Sequence, residues 1–171
     1  VVSKTDPQVE AYGTVDELTA AIGLATTLAP PTLADKFVWV QEQLFVIGAI
    51  LAQGDLNSKE GMRLEEGSIT LLEKWIDELV TDLPPQTKFL LPGPKGGSQA
   101  ASQIHVARAI CRRAERRVWA LAGDLSAILV FLNRLSDYLY AAARWLNFRL
   151  GVEEYEIHIT KLAAQGTSDG E

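Results

Sequence analysis

Five of the nine arginines in this 171-residue chain lie within ten residues, in the run HVARAICRRAERRV: Arg108, Arg112, Arg113, Arg116 and Arg117. At about 100° per residue on a helix, Arg108, Arg112 and Glu115 share one narrow stripe, with Arg116 at its edge. Arg113 and Arg117 point elsewhere. Guanidinium forks beside a carboxylate suit a polyanion such as a nucleoside triphosphate, because each fork matches phosphate oxygens bidentately. A solvated helix face uses the same residue types, so charge alone leaves both readings open. A second polar stripe, Asn133, Asp137, Tyr140 and Arg144, has helical spacing too. Together the two stripes could bind a nucleotide: arginines for phosphate, the amide for base or ribose, a carboxylate for an arginine or the water shell of Mg²⁺.

Other chemistries find less support. His105 and His158 lack metal-ligand spacing with Cys or acids, and no Glu-x-x-His pair occurs, so we expect no metal site built from side chains. There is no Gly-x-Ser-x-Gly elbow, Walker loop or dinucleotide fingerprint. GPKGG, within residues 91–97, could meet a phosphate through backbone amides, but a lone Gly-rich loop is also an ordinary surface loop. Cys111 lies beside an apolar stripe and reads as a small core residue, although neighbouring arginines could activate it as a nucleophile.

These groups need elements to hold them. Helical periodicity predicts five helices, at about 10–28, 33–53, 68–83, 100–122 and 126–150. Thr14 followed by Glu17 has the form of a capping box, and the pairs Pro30-Pro31 and Pro84-Pro85 close the first and third helices. The fifth carries Leu132, Leu135, Leu139, Ala142 and Leu146 at alternating spacings of three and four, a coiled-coil-like seam. The loop KFLLPGPKGGSQ is too rich in Pro and Gly for a helix or a central strand. EEYEIHIT, at 153–160, alternates but stands alone, which makes it a tail or a docked extended segment. The fold expected is all-α, an up-and-down helical bundle over residues 1–150 with a tail at 151–171.

A formal net charge of -6 argues against a nucleic-acid protein. No apolar run reaches the ~18 residues of a membrane span, and no signal segment opens the sequence. One cysteine cannot form an internal disulfide, which suits a reducing compartment. We expect a soluble, cytoplasmic protein.

The runs EAYGTVDEL (10–18), FLLPG (89–93), HVARAICRRAERRV (105–118) and FLNRLSDYLYAAAR (131–144) resemble the PduO-type ATP:corrinoid adenosyltransferases, in that family's order and at nearly its spacing. The resemblance implies a five-helix, ferritin-like bundle that assembles as a homotrimer with active sites between subunits. It implies transfer of the 5′-deoxyadenosyl group of ATP, with Mg²⁺, to the cobalt of cob(I)alamin, releasing triphosphate. Cobalt is then the nucleophile and the protein needs none. By position, Arg112, Arg116 and Asn133 match ATP contacts, Glu115 a residue orienting them, and Lys4 a lysine near the phosphates. Asp16 and Arg108 match a salt bridge across the subunit interface. Phe89 matches the aromatic that crowds the lower face of the corrin and favours four-coordinate Co(II), and Tyr140 an aromatic near the corrin. Asp137 belongs to the motif without a settled role, and Arg113 and Arg117 are left as structural or surface charges.

Two departures bear on this. The family normally opens with a Thr-Lys-Thr-Gly-Asp-like loop that wraps the ATP phosphates, and this sequence begins after it: a protein without the loop would be of doubtful activity, and one that has it is expected to keep it disordered without ATP. The spacing from Phe89 to His105 is about three residues longer than usual. The alternative reading is a catalytically impaired corrinoid- and ATP-binding chaperone or sensor of the same fold; a purely structural helical module is a third. A reductase supplying Co(I) or an adenosylcobalamin-dependent enzyme would be natural partners of the transferase.

Overall fold

The computed structural model describes residues 3–53, 55–56, 62–87, 89–93 and 97–157. Its elements are α1 (Pro7–Leu28), α2 (Pro31–Leu51), α3 (Ser68–Val80), β1 (Phe89–Leu91), α4 (Gln99–Trp119), α5 (Ser126–Arg149) and β2 (Tyr155–Ile157). The five helices form the expected all-α bundle. α4 packs along both α1 and α5, α2 covers α1, and α3 covers α5.

The core follows the apolar periodicity. Phe37, Val40, Leu44, Ile47 and Leu51 of α2 are fully buried, as are Leu132, Leu135, Leu139 and Ala142 of α5 with Leu146 nearly so. An aromatic cluster closes the bundle between α2, α3 and α5. Trp39 meets Trp75 edge-on at 5.1 Å, and Tyr138 packs against Trp75 at 5.6 Å and Phe37 at 6.1 Å. The buried side of α4 is built mainly from small residues, including Ala101, Ala107, Cys111 and Ala114. Small side chains let a helix approach its neighbours closely, so α4 can sit between two others. Cys111 is a core residue: it is fully buried, its thiol donates to the Leu132 carbonyl at 3.2 Å, and burial pushes its ionisation well above the ordinary range.

Three expectations need correction. Thr14 does not cap α1; its hydroxyl donates to the Glu10 carbonyl within the helix. The start lies at Asp6-Pro7, where the Asp6 carboxylate accepts the Gln8 N–H at 2.8 Å and Pro7 presets φ at the first helical position. Pro31, expected to help end the first helix, opens α2 for the same reason. FLL is not plain loop: β1 pairs antiparallel with β2, in the register Phe89↔Ile157, Leu90↔Glu156 and Leu91↔Tyr155. The extended segment after α5 is therefore docked through its first residues. His158 and the rest of the tail, and residues 94–96 of the Gly-rich loop, lie outside the described residues.

Leu139→Ala should cost about 2–5 kcal/mol of stability in chemical denaturation, as large-to-small changes in packed cores do. Cys111 should resist Ellman's reagent until the chain is unfolded; rapid labelling of the native protein would contradict its burial.

Candidate functional site

The position of α4 between α1 and α5 sorts its arginines by helical phase. On the α1 side, Arg113 pairs with Glu17, and Arg117 lies 3.7 Å from Glu10. Both pairs are solvent-exposed, so each adds at most about 1 kcal/mol, but they neutralise those two guanidiniums. On the α5 side, Arg112 and Arg116 have no ion-pair partner among the described residues. Two like charges one turn apart repel weakly, which an arriving anion would relieve.

Arg112, Glu115 and Arg116 line a cleft of about 470 Å³ together with Trp119. Trp119 is 76% exposed. Sequence reasoning missed it, although it continues the Arg112–Glu115 stripe one turn further. Glu115 accepts a hydrogen bond from Asn133 Nδ2 at 3.1 Å, so the carboxylate reaches across to α5 and does not pair with either arginine. Asn133 Oδ1 in turn accepts from Arg134 at 2.7 Å, and Arg134 pairs with Asp137 at 3.3 Å along the surface of α5. The amide is thus oriented at both ends. Asp137 belongs to this surface pair.

A second group lies towards the N-terminal half of α4. The Arg108 guanidinium sits 5.8 Å from the centre of the Tyr140 ring, and the His105 ring meets Tyr140 edge-on at 5.9 Å. His105 Nδ1 and Arg108 Nε are both buried without a hydrogen-bond partner among the described residues. Such groups are costly unless something else satisfies them. Burial, and secondarily the Arg108 charge, pushes the His105 imidazole down to about 4, so it is neutral near pH 7. Burial also raises the Tyr140 phenol, which donates to Gln86 Oε1 at 2.7 Å.

The remaining candidates are more dispersed. Asp16 is exposed on α1, and among the described residues it forms no ion pair with Arg108. Lys4 is exposed in the turn before α1. Phe89 is 68% exposed on β1. Arg144, from the α5 stripe, is nearly buried and does not line the cleft of Arg112 and Arg116: it pairs with Glu154 at 3.1 Å. Among the described residues no group of three or more His, Cys, Asp or Glu is arranged to hold a metal, and no helix is long and apolar enough to cross a membrane.

A family model described as cobalamin adenosyltransferase matches residues 1–146. A corrinoid adenosyltransferase of Bacillus subtilis is 42% identical over 161 residues, which is 90% of this chain and 81% of that protein. The human corrinoid adenosyltransferase is 40% identical over 161 residues, 88% of this chain but 63% of its own length. Among solved structures, a variant PduO-type ATP:corrinoid adenosyltransferase from Lactobacillus reuteri, complexed with cobalamin and ATP, superposes with a TM-score of 0.82 at 34% identity. The match covers 92% of this chain and 89% of that one.

The depressed His105 gives a pH signature. The unfolded imidazole takes a proton near 6.5 and the folded one near 4. Between those values the unfolded state binds more protons, so the His105 contribution to stability is complete above about 6.5 and is lost as the pH falls towards 4. In thermal melts at pH 7 and pH 5, wild type should lose more of its melting temperature than His105→Gln; equal losses would contradict the assignment.

Proposed function

The chain belongs to the cobalamin adenosyltransferase family, and on that premise we propose how its own residues serve the reaction. It transfers the 5′-deoxyadenosyl group of ATP to the cobalt of a cob(I)alamin-type corrinoid. Cobalt(I) supplies the electron pair that forms the Co–C5′ bond, and the C5′–O bond breaks with its pair going to the triphosphate. The enzyme's task is to position C5′ in line with cobalt and to stabilise the charge on the leaving group. A side-chain nucleophile has no part in it, which agrees with the inert, buried Cys111.

The observation that carries this reading is the division of the α4 arginines: Arg113 and Arg117 pair with acids of α1, while Arg112 and Arg116 line a cleft without an ion-pair partner among the described residues. In our reading Arg112 and Arg116 hold the triphosphate, Asn133 contacts the adenosine, and Glu115 fixes the Asn133 amide. Lys4 approaches the phosphates. Mg²⁺ would be carried by the triphosphate oxygens, with Glu115 the carboxylate best placed to meet its water shell; bound there it would neutralise leaving-group charge. Phe89 and Tyr140 face the corrin.

We infer a homotrimer with sites between subunits. Two groups support it: Arg108, whose Nε is buried without a partner among the described residues, and the exposed Asp16, which has no ion pair among them; a neighbouring copy could bring the two together. A cytoplasmic location suits the free cysteine and the need for a reductant that delivers Co(I), so a reductase and a consumer of adenosylcobalamin are the expected partners.

An anaerobic assay with ATP and reduced cobalamin should show adenosylcobalamin formation. Arg112→Ala should lower kcat/KM by at least about tenfold, the value of a lost charge-assisted hydrogen bond, whereas Cys111→Ala should leave turnover intact. Normal turnover by the Arg112 variant would overturn the site assignment. Corrinoid and ATP binding without turnover would favour the chaperone or sensor.

A further inference from the structure

A concavity larger than the arginine cleft lies away from it. It measures about 740 Å³ and is bounded by residues 83–86 before β1, Leu90 of β1, the end of α5, and residues 152–156. Arg144 borders it at only 9% exposure. Its Nε donates to Glu154 Oε2 at 3.1 Å, and its Nη2 donates to the Pro84 carbonyl at 3.3 Å. One side chain of α5 thus grips the segment leading into β1 and the segment leading into β2. One turn earlier on α5, Tyr140 holds Gln86. Three polar bonds from two side chains fix the chain on its way into each strand of the two-stranded sheet.

This anchoring matters because β1 and β2 are three residues each, and an isolated strand pair is marginal in water. The register places Phe89 and Leu91 on one face with Ile157 and Tyr155, and Leu90 on the opposite face, where it lines the concavity. Release of β2 would take from β1 its strand partner, and with it the backbone bonds that steady the strand carrying Phe89. Glu154 is the only ion-pair partner of Arg144 among the described residues. Removing it leaves a nearly buried guanidinium uncompensated, a strong bias against the docked arrangement.

We propose that Arg144 and Glu154 are a positioning pair for the corrin end of the site: the C-terminal segment, clamped by Glu154 to Arg144, sets the strand that presents Phe89. The proposal rests on the corrin-facing reading of Phe89. It assigns Arg144 to the geometry of the corrinoid and not to ATP, although it shares the polar stripe of Asn133.

The test uses the full chain with Glu154→Ala and Glu154→Gln. Hydrogen exchange of the 89–91 amides reads the clamp without substrate, and should quicken in Glu154→Ala while exchange in α4 stays unchanged. In the adenosylation assay the same variant should raise the KM for cob(I)alamin by about tenfold or more, leave the KM for ATP unchanged, and weaken the four-coordinate Co(II) spectrum of ATP-loaded protein. Glu154→Gln, which keeps an acceptor but no charge, should fall between. Unchanged exchange at 89–91, or a matching rise in both KM values, would overturn the proposal. So would faster exchange with an unaltered KM for corrinoid. If wild type shows no adenosylation at all, the functional reading fails on its own, and the exchange data still decide whether the clamp exists.

Discussion

The site depends on one packing constraint: α4 must lie between α1 and α5. Its small buried face meets that requirement and fixes the rotation of the helix about its axis. Once the rotation is fixed, each arginine has one direction available. Arg113 and Arg117 reach the acids of α1, and Arg112 and Arg116 are left beside α5 with nothing to neutralise them among the described residues. The protein holds these charges ready before any anion arrives, and electrostatic stabilisation of a leaving group requires that kind of preorganisation. A larger residue at Ala107 or Ala114 would disturb catalysis through rotation or displacement of α4, without touching substrate.

α5 supplies the opposite wall, and its polar stripe does two jobs. At one end Asn133 and Glu115 bridge the helices beside the arginine cleft. At the other, Tyr140 and Arg144 tie down the segments that carry β1 and β2. In the proposed reading a nucleotide end and a corrin end are held on one rigid helix, so their separation is set by the rise of α5 and not by loops. Between them lie His105 and Arg108, each with a buried nitrogen that has no hydrogen-bond partner among the described residues.

Much of this was legible in the residues. The periodicity of α2 and α5 identified their buried faces, and helical phase separated Arg113 and Arg117 from the stripe of Arg112. Helix starts were harder, because Thr14-Glu17 and Asp6-Pro7 are both valid local signals, and only packing selects between them. The β1–β2 pair was not legible, since three residues at each of two distant points carry too little pattern to reveal a pairing. The role of Arg144 was hidden for the same reason: its partner Glu154 lies beyond the helix, so the stripe on which it sits suggested a nucleotide contact. Phase determines which face a side chain occupies, but its partner depends on the course of the following chain.

Geometry, and not charge alone, divides the arginine cluster. Calorimetric titration of inorganic triphosphate into Arg112→Ala, Arg113→Ala, Arg116→Ala and Arg117→Ala isolates that division, because each variant removes the same charge from the same helix. Arg112→Ala and Arg116→Ala should weaken binding by about tenfold or more, while Arg113→Ala and Arg117→Ala should bind as wild type does. Equal losses in all four, or losses confined to Arg113 and Arg117, would contradict it.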